Sequence, residues 1–223
     1  MRVGQPFGIR YGEEQYTQEP KKKYFIACEG KKTEYRYFEA ILEHRSDLGI
    51  SPLIEMIPIN HERNTGSHPL HIFNGAKEAL KTYESYFPSV DHLCIIADRD
   101  LHSFFETQYD TLAENCLAEG IDLFISNPCF ELWLLMHYSD LIEYNKTKLL
   151  ENKKTGERTQ TELYLKDKLG GSYSKKYLHF ESRYKNHLSE AIEHSKQYAT
   201  TIEELKNQVG TNVGFLVETL MKD

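Results

Sequence analysis

The feature that most restricts this chain is an alternation of two hydrophobic periods. Short apolar runs bounded by turn residues recur as YFIAC (24–28), LIEMIPI (53–59), HLCIIA (92–97) and DLFIS (122–126). Each has the length and β-branched content of a buried strand. Between them lie segments with helical spacing, among them Tyr37, Phe38, Ile41 and Leu42, then roughly 70–86 and 104–118. Thr33 stands where a helix cap is expected. FELWLLMHY (130–138) reads as a thoroughly apolar helix. Strands alternating with helices predict an α/β fold, a mostly parallel sheet with helices on both faces. After about Asp140 the strand signal stops, and basic polar loops such as NKKTGERTQ (152–160) separate helical segments. The expected organisation is a polar arm over 1–22, an α/β core over 23–140 and a helical, basic region over 141–223 packing on that core.

Bulk properties remove several classes of function. No run approaches the eighteen or so apolar residues that a membrane span needs. The first residues lack an apolar signal core, and the four cysteines (Cys28, Cys94, Cys116, Cys129) have no CxxC spacing. A cytoplasmic protein with reduced thiols is therefore expected, without a disulfide or zinc framework. The formal net charge of −7 argues against coating nucleic acid through global charge, while leaving room for a local basic patch. Neither a P-loop nor a GxGxxG fingerprint occurs, so ATP hydrolysis and dinucleotide binding by this chain are not expected.

The chemistry is concentrated in acids at strand ends. In parallel sheets ligands bind beyond the carboxyl ends of the strands. Glu29 follows the first apolar run, and Asp98 and Asp100 follow the third. Carboxylates two apart in an extended segment can face one cation while the intervening Arg99 points elsewhere. Hard oxygen donors without an accompanying His or Cys cluster favour Mg2+ or Mn2+. Glu34 and Glu131 each sit at an expected helix start. Either can complete a metal shell, or simply suit the helix dipole. Gly30 is either a close-approach glycine or a turn glycine. Lys31 and Lys32 are candidate phosphate contacts or a solvated face.

The segments CEGKKTEYRYF (28–38) and IIADRD (95–100) resemble the Toprim pattern, a glutamate after one strand and DxD after a later one. With SNPCFELWLLMHY (126–138), LGGSYSKKY (169–177) and TNVGFLVETL (211–220), the chain resembles the RloB-like family of Toprim proteins associated with bacterial defence. That resemblance implies a Toprim (Rossmann-like) fold and divalent-metal-dependent cleavage of nucleic acid. It also implies a role in defence against phage, in which related effectors can target host RNA, and a possible ATPase partner encoded nearby. It assigns Glu29 to proton transfer and metal support, and Asp98 and Asp100 to the metal.

The C-terminal half interleaves lysines and arginines with tyrosines, a composition suited to single-stranded nucleic acid or to an ordinary helical surface. Within it GGSYSKKY is the sharpest candidate, with Lys175 and Lys176 as expected substrate-binding residues. The histidines show no metal-ligand spacing and are expected to be surface or packing residues; His61 and His68 are retained as possible substrate contacts. Trp133 is expected in the core. RNA is favoured over DNA as substrate. The rival expectations are DNA nicking, hydrolysis of a small nucleotide signal, or a non-catalytic subunit of a defence ATPase.

Overall fold

The computed structural model describes residues 22–30, 32–51, 54–59, 70–83 and 86–222. Lys31, His61, His68 and all but the last residue of the 1–22 segment lie outside them.

Four parallel strands occur where the apolar runs place them: β1 (Lys22–Cys28), β2 (Ile54–Ile59), β3 (His92–Asp98) and β4 (Asp122–Asn127). They lie in the order β2-β1-β3-β4. β1 and β3 are direct neighbours, with Cys28 opposite Ile96. Helices α1 (Thr33–Glu43), α2 (Leu70–Leu80) and α3 (Glu106–Glu119) connect them, and α4 (Phe130–Met136) follows β4. α1 begins at Thr33 itself, with Lys32 as the capping position and no side-chain cap. α2 stops at Leu80 rather than running to Tyr86: the Thr82 hydroxyl takes the Ala79 carbonyl, and Tyr83 N–H bonds Leu80 O in a tighter turn. α3 ends on Gly120, whose φ of 66° is left-handed and cheap for glycine.

Period-2 alternation sorts the strand side chains onto two faces. Tyr24, Ile26 and Cys28, with Cys94 and Ile96, face one core. Phe25 and Ala27, with Leu93, Ile95 and Ala97, face another, covered by α2 and α3 through residues such as Phe73, Tyr109 and Leu112. The first core holds α1 and α4, and it also takes Leu149, Leu165, Leu188, Val213 and Leu216 from beyond residue 140. The chain after Asp140 therefore builds the same apolar core as β1. It continues as α5 (Lys146–Glu151), a hairpin β5 (Lys154–Thr155) and β6 (Arg158–Thr159), then α6 (Gln160–Lys168), α7 (Phe180–Arg183), a 3-10 turn, α8 (Leu188–Ser195), α9 (Ile202–Leu205), β7 (Gly210–Thr211) and α10 (Val213–Lys222).

Three two-residue strands stand among the helices of this largely helical region, where the sequence shows no strand signal. β7 adds an antiparallel edge to the main sheet, with Ser126 opposite Thr211 and Asn127 opposite Gly210. Asn212 prolongs the pairing with its side chain: its Oδ1 accepts from Ile125 N at 2.6 Å and its Nδ2 donates to Leu123 O at 3.0 Å. Two-residue strands are too short to carry a period, which is why pattern reading passes over them.

Candidate functional site

The carboxyl ends of β1 and β3, the start of α1 and the start of α4 converge on a cavity of about 510 Å3. Four carboxylates line it: Glu29, Glu34, Asp98 and Glu131. Gly30, Lys32, Thr33 and Lys175 complete the wall.

Backbone geometry fixes the first pair. Glu29 N–H bonds Ile96 O at 2.9 Å, which holds the end of β1 against β3. The Glu29 Oε2 accepts from Asp98 N at 3.1 Å, so the two strand-end acids are locked together. Asp98 Oδ1 accepts from Phe130 N at 2.8 Å, at the start of α4. Asp98 follows the parity of Cys94 and Ile96, which puts it on the face of the sheet that carries α1 and α4.

The helices bring the second pair. Glu34 lies buried in the first turn of α1. A Cβ at Gly30 would sit 2.3 Å from the Glu34 Oε2, so a larger residue there would force this carboxylate to move. Glu131 is 3% exposed because every residue of α4 is buried; a charge there needs partners. Tyr173 Oη donates to Glu131 Oε1 at 3.0 Å and Lys175 Nζ lies 2.9 Å from the same oxygen. Lys175 also pairs with the buried Glu162 at 2.7 Å.

Mutual repulsion marks the cluster. Burial, then the negative charges of Glu131 and Glu29, push the Glu34 carboxyl up to about 7, against a downward pull from its own backbone N–H and from Lys175. Burial, then Glu34, Glu29 and Glu131, holds Asp98 well above the usual carboxylate range, although the Phe130 N–H favours its ionised form. Burial opposes the charge on Lys175, but Glu131 and Glu162 outweigh it and hold the ammonium above the usual lysine range.

Of the acids singled out by sequence, Asp100 alone stands apart from the cavity. Its Oδ1 accepts from His102 N at 3.0 Å and its Oδ2 from the Ser103 hydroxyl at 2.8 Å. Ser103 N–H and Phe104 N–H both close onto Asp100 O, so the chain turns away instead of extending. The two-residue spacing puts both aspartates on one face only while the strand lasts, and β3 ends at Asp98. Arg99 does point elsewhere: it is buried on the opposite face, donates to Lys206 O and Phe104 O, and stacks on the Phe104 and Tyr109 rings.

The basic candidates also divide. Lys32 is exposed and lines the cavity, and Lys175 enters it as the partner of two carboxylates rather than as a free cation. Lys176 is exposed, with its ammonium 5.3 Å over the Tyr177 ring, and does not line the cavity. Sequence reading passed over Glu162 and Tyr173 as site residues. Glu162 follows Thr159 by three, a spacing that reads as a helix cap, and Thr159 Oγ1 does accept from Glu162 N at 3.3 Å.

The donor set suits a hard divalent cation: all-oxygen carboxylates, crowded enough to repel, beside a glycine cradle that a Cβ would fill. The carboxylates surround the cavity without closing on one point, and among the described residues no three His, Cys, Asp or Glu side chains stand ready to share an ion. The model of a family described as RloB-like protein matches residues 24–220. This chain belongs to the RloB-like family. The match extends from the first residues of β1 into α10, so it takes in the cavity, the hairpin and the late edge strand of this RloB-like protein. No curated protein and no solved structure matches the chain.

Proposed function

We propose that this RloB-like protein is a divalent-metal-dependent nuclease of Toprim type, acting on RNA as an effector of defence against phage. The observation that carries the reading is the gathering of Glu29, Glu34, Asp98 and Glu131 around one cavity at the carboxyl ends of adjacent parallel strands. Glu29 and Asp98 would hold Mg2+ or Mn2+, with Glu34 and Glu131 completing the acidic wall. Such an ion supplies neutralisation of charge developing on a phosphodiester and a lower pKa for bound water. Glu29, which lines the cavity beside Asp98, is the residue for proton transfer. Lys175 offsets Glu131, so the buried carboxylates are not all uncompensated in the absence of an ion. Lys32, exposed on the wall, reaches toward a substrate phosphate. The preference for RNA, the defence role and a neighbouring ATPase partner rest on the family resemblance.

A second reading, a non-catalytic subunit of a defence ATPase, draws support from Asp100. Its carboxylate is engaged by His102 and Ser103 rather than by the cavity. One experiment separates the two. Purified protein, alone and with any ATPase encoded beside it, is incubated with tRNA, single-stranded DNA and plasmid in Mg2+, Mn2+ or EDTA. The nuclease reading expects cleavage that EDTA abolishes and that Glu29→Gln removes. Intact substrates in every metal condition, with and without the ATPase, would return the protein to the non-catalytic reading.

A further inference from the structure

Beside the carboxylate cavity, the β5–β6 hairpin and the segment joining α6 to α7 enclose a second depression of about 370 Å3. Three cations line it, Lys154, Arg158 and Lys175, with the Ser174 hydroxyl and the acids Glu157 and Glu162. Glu157 and Glu162 offset two of these three cations, so the lining keeps a small net positive charge. Glu162 is taken up by Lys175 at 2.7 Å, which leaves Arg158 at 3.9 Å from it. Arg158 keeps that longer ion pair and also donates to Tyr173 O at 3.4 Å. Lys154 has no ion-pair partner among the described residues. Its cross-strand register is fixed, with Lys154 opposite Thr159 and Thr155 opposite Arg158, and Gly156 at a φ of 66° makes the tight turn.

Lys175 and Glu162 tie this depression to the first cavity. Lys175 lines both, and its neighbour Tyr173 holds Glu131. Without a bound ion the four carboxylates of the first cavity repel an anion, so a strand placed for cleavage gains from anchoring cations beyond Lys32 on its wall. We infer that the second depression binds one internal phosphate of a nucleic-acid strand, with Lys154 and Arg158 as its ligands, while an adjoining phosphodiester faces the carboxylates. The inference rests on the nuclease reading for the identity of the strand, though the anion site itself stands on the hairpin.

The test uses the full chain in EDTA. Amide NMR signals are followed during titration with inorganic phosphate and, separately, with a 2′-O-methyl single-stranded oligonucleotide that lacks terminal phosphates. Lys154→Ala/Arg158→Ala is compared with wild type. The oligonucleotide should move the signals of residues 154–159 and 174–175. The double variant should bind it about 10-fold more weakly, with a slope of log K against log salt shallower by about 0.7, the contribution of one phosphate on a single strand. Calorimetric binding of Mg2+ or Mn2+, measured on the same two proteins after EDTA is removed, should not change. Signals that move with inorganic phosphate but not with the oligonucleotide would overturn the strand assignment in favour of a free-phosphate site. Signals at 154–159 that move with neither, or equal affinity and salt slope in the two proteins, would overturn the site altogether. An oligonucleotide that binds here to a protein cleaving nothing in Mg2+ or Mn2+, with or without the ATPase, would sink the nuclease reading and leave this inference standing.

Discussion

The two faces of the central sheet use the same strands and reach opposite electrostatic outcomes. On the α2/α3 face, Arg99 is buried with backbone carbonyls as partners and two aromatic rings beside it. Its charge is offset locally, as a structural charge usually is. On the α1/α4 face, one residue earlier in the same strand, Asp98 meets Glu34 and Glu131 as well as Glu29, and like charges are held together at a cost in stability. A fold that only needed to close its core would not collect four carboxylates around one cavity. The contrast supports the proposal that the α1/α4 face is the working one and the α2/α3 face its support.

The sharpest way to break this contrast is to compare the two aspartates that flank Arg99. Asp98→Asn keeps the shape and removes a charge from the cavity; cleavage of labelled RNA should fall by about 100-fold or more, the scale seen when transition-state electrostatics are removed. Asp100→Asn still presents an oxygen to its turn and should lower cleavage by less than about 5-fold, with a stability loss of about 1 kcal/mol or less. Equal losses in the two variants would show that Asp100 swings into the cavity during catalysis.

Burial and the neighbouring carboxylates give Glu34 an expected pH-dependent cost. Glu34 titrates at about 7 in the folded protein, above its ordinary value of 4.5. Between those two values the folded state holds the proton that the unfolded state releases, so stability falls as pH rises through that window. Glu34→Gln removes this loss. It should be more stable than wild type at pH 8, by about 3 kcal/mol at most, and show no gain at pH 4. Urea denaturation at the two pH values reads the difference, and an equal gain at both would mean that ionisation of the buried, crowded Glu34 is not the cause.

The supporting face predicts a smaller effect with no chemistry in it. Arg99→Met keeps the aliphatic packing but strands the Phe104 and Lys206 carbonyls, and should cost about 2 kcal/mol in urea denaturation. Divalent-ion affinity of the folded variant should match wild type. A change in ion affinity would mean that the two faces are coupled through β3.

The sequence by itself determined the sheet and most of the acids. Short apolar runs bounded by polar segments give four strands, since such a run is local and needs no knowledge of its neighbours. Glu29 and Asp98 were legible because parallel strands present their carboxyl ends together. Glu34 and Glu131 were legible only as ambiguous helix-start acids. The tertiary structure alone decided that they share a cavity, since α1 and α4 are brought together by packing on one face. It also decided that the chain turns after Asp98 and withdraws Asp100, that Lys175 is spent on Glu131 and Glu162 while Lys176 stays outside, and that residues after 140 supply an edge strand to the sheet. These outcomes depend on contacts between residues far apart in the chain, and a pattern with a reach of two to four residues carries no record of them.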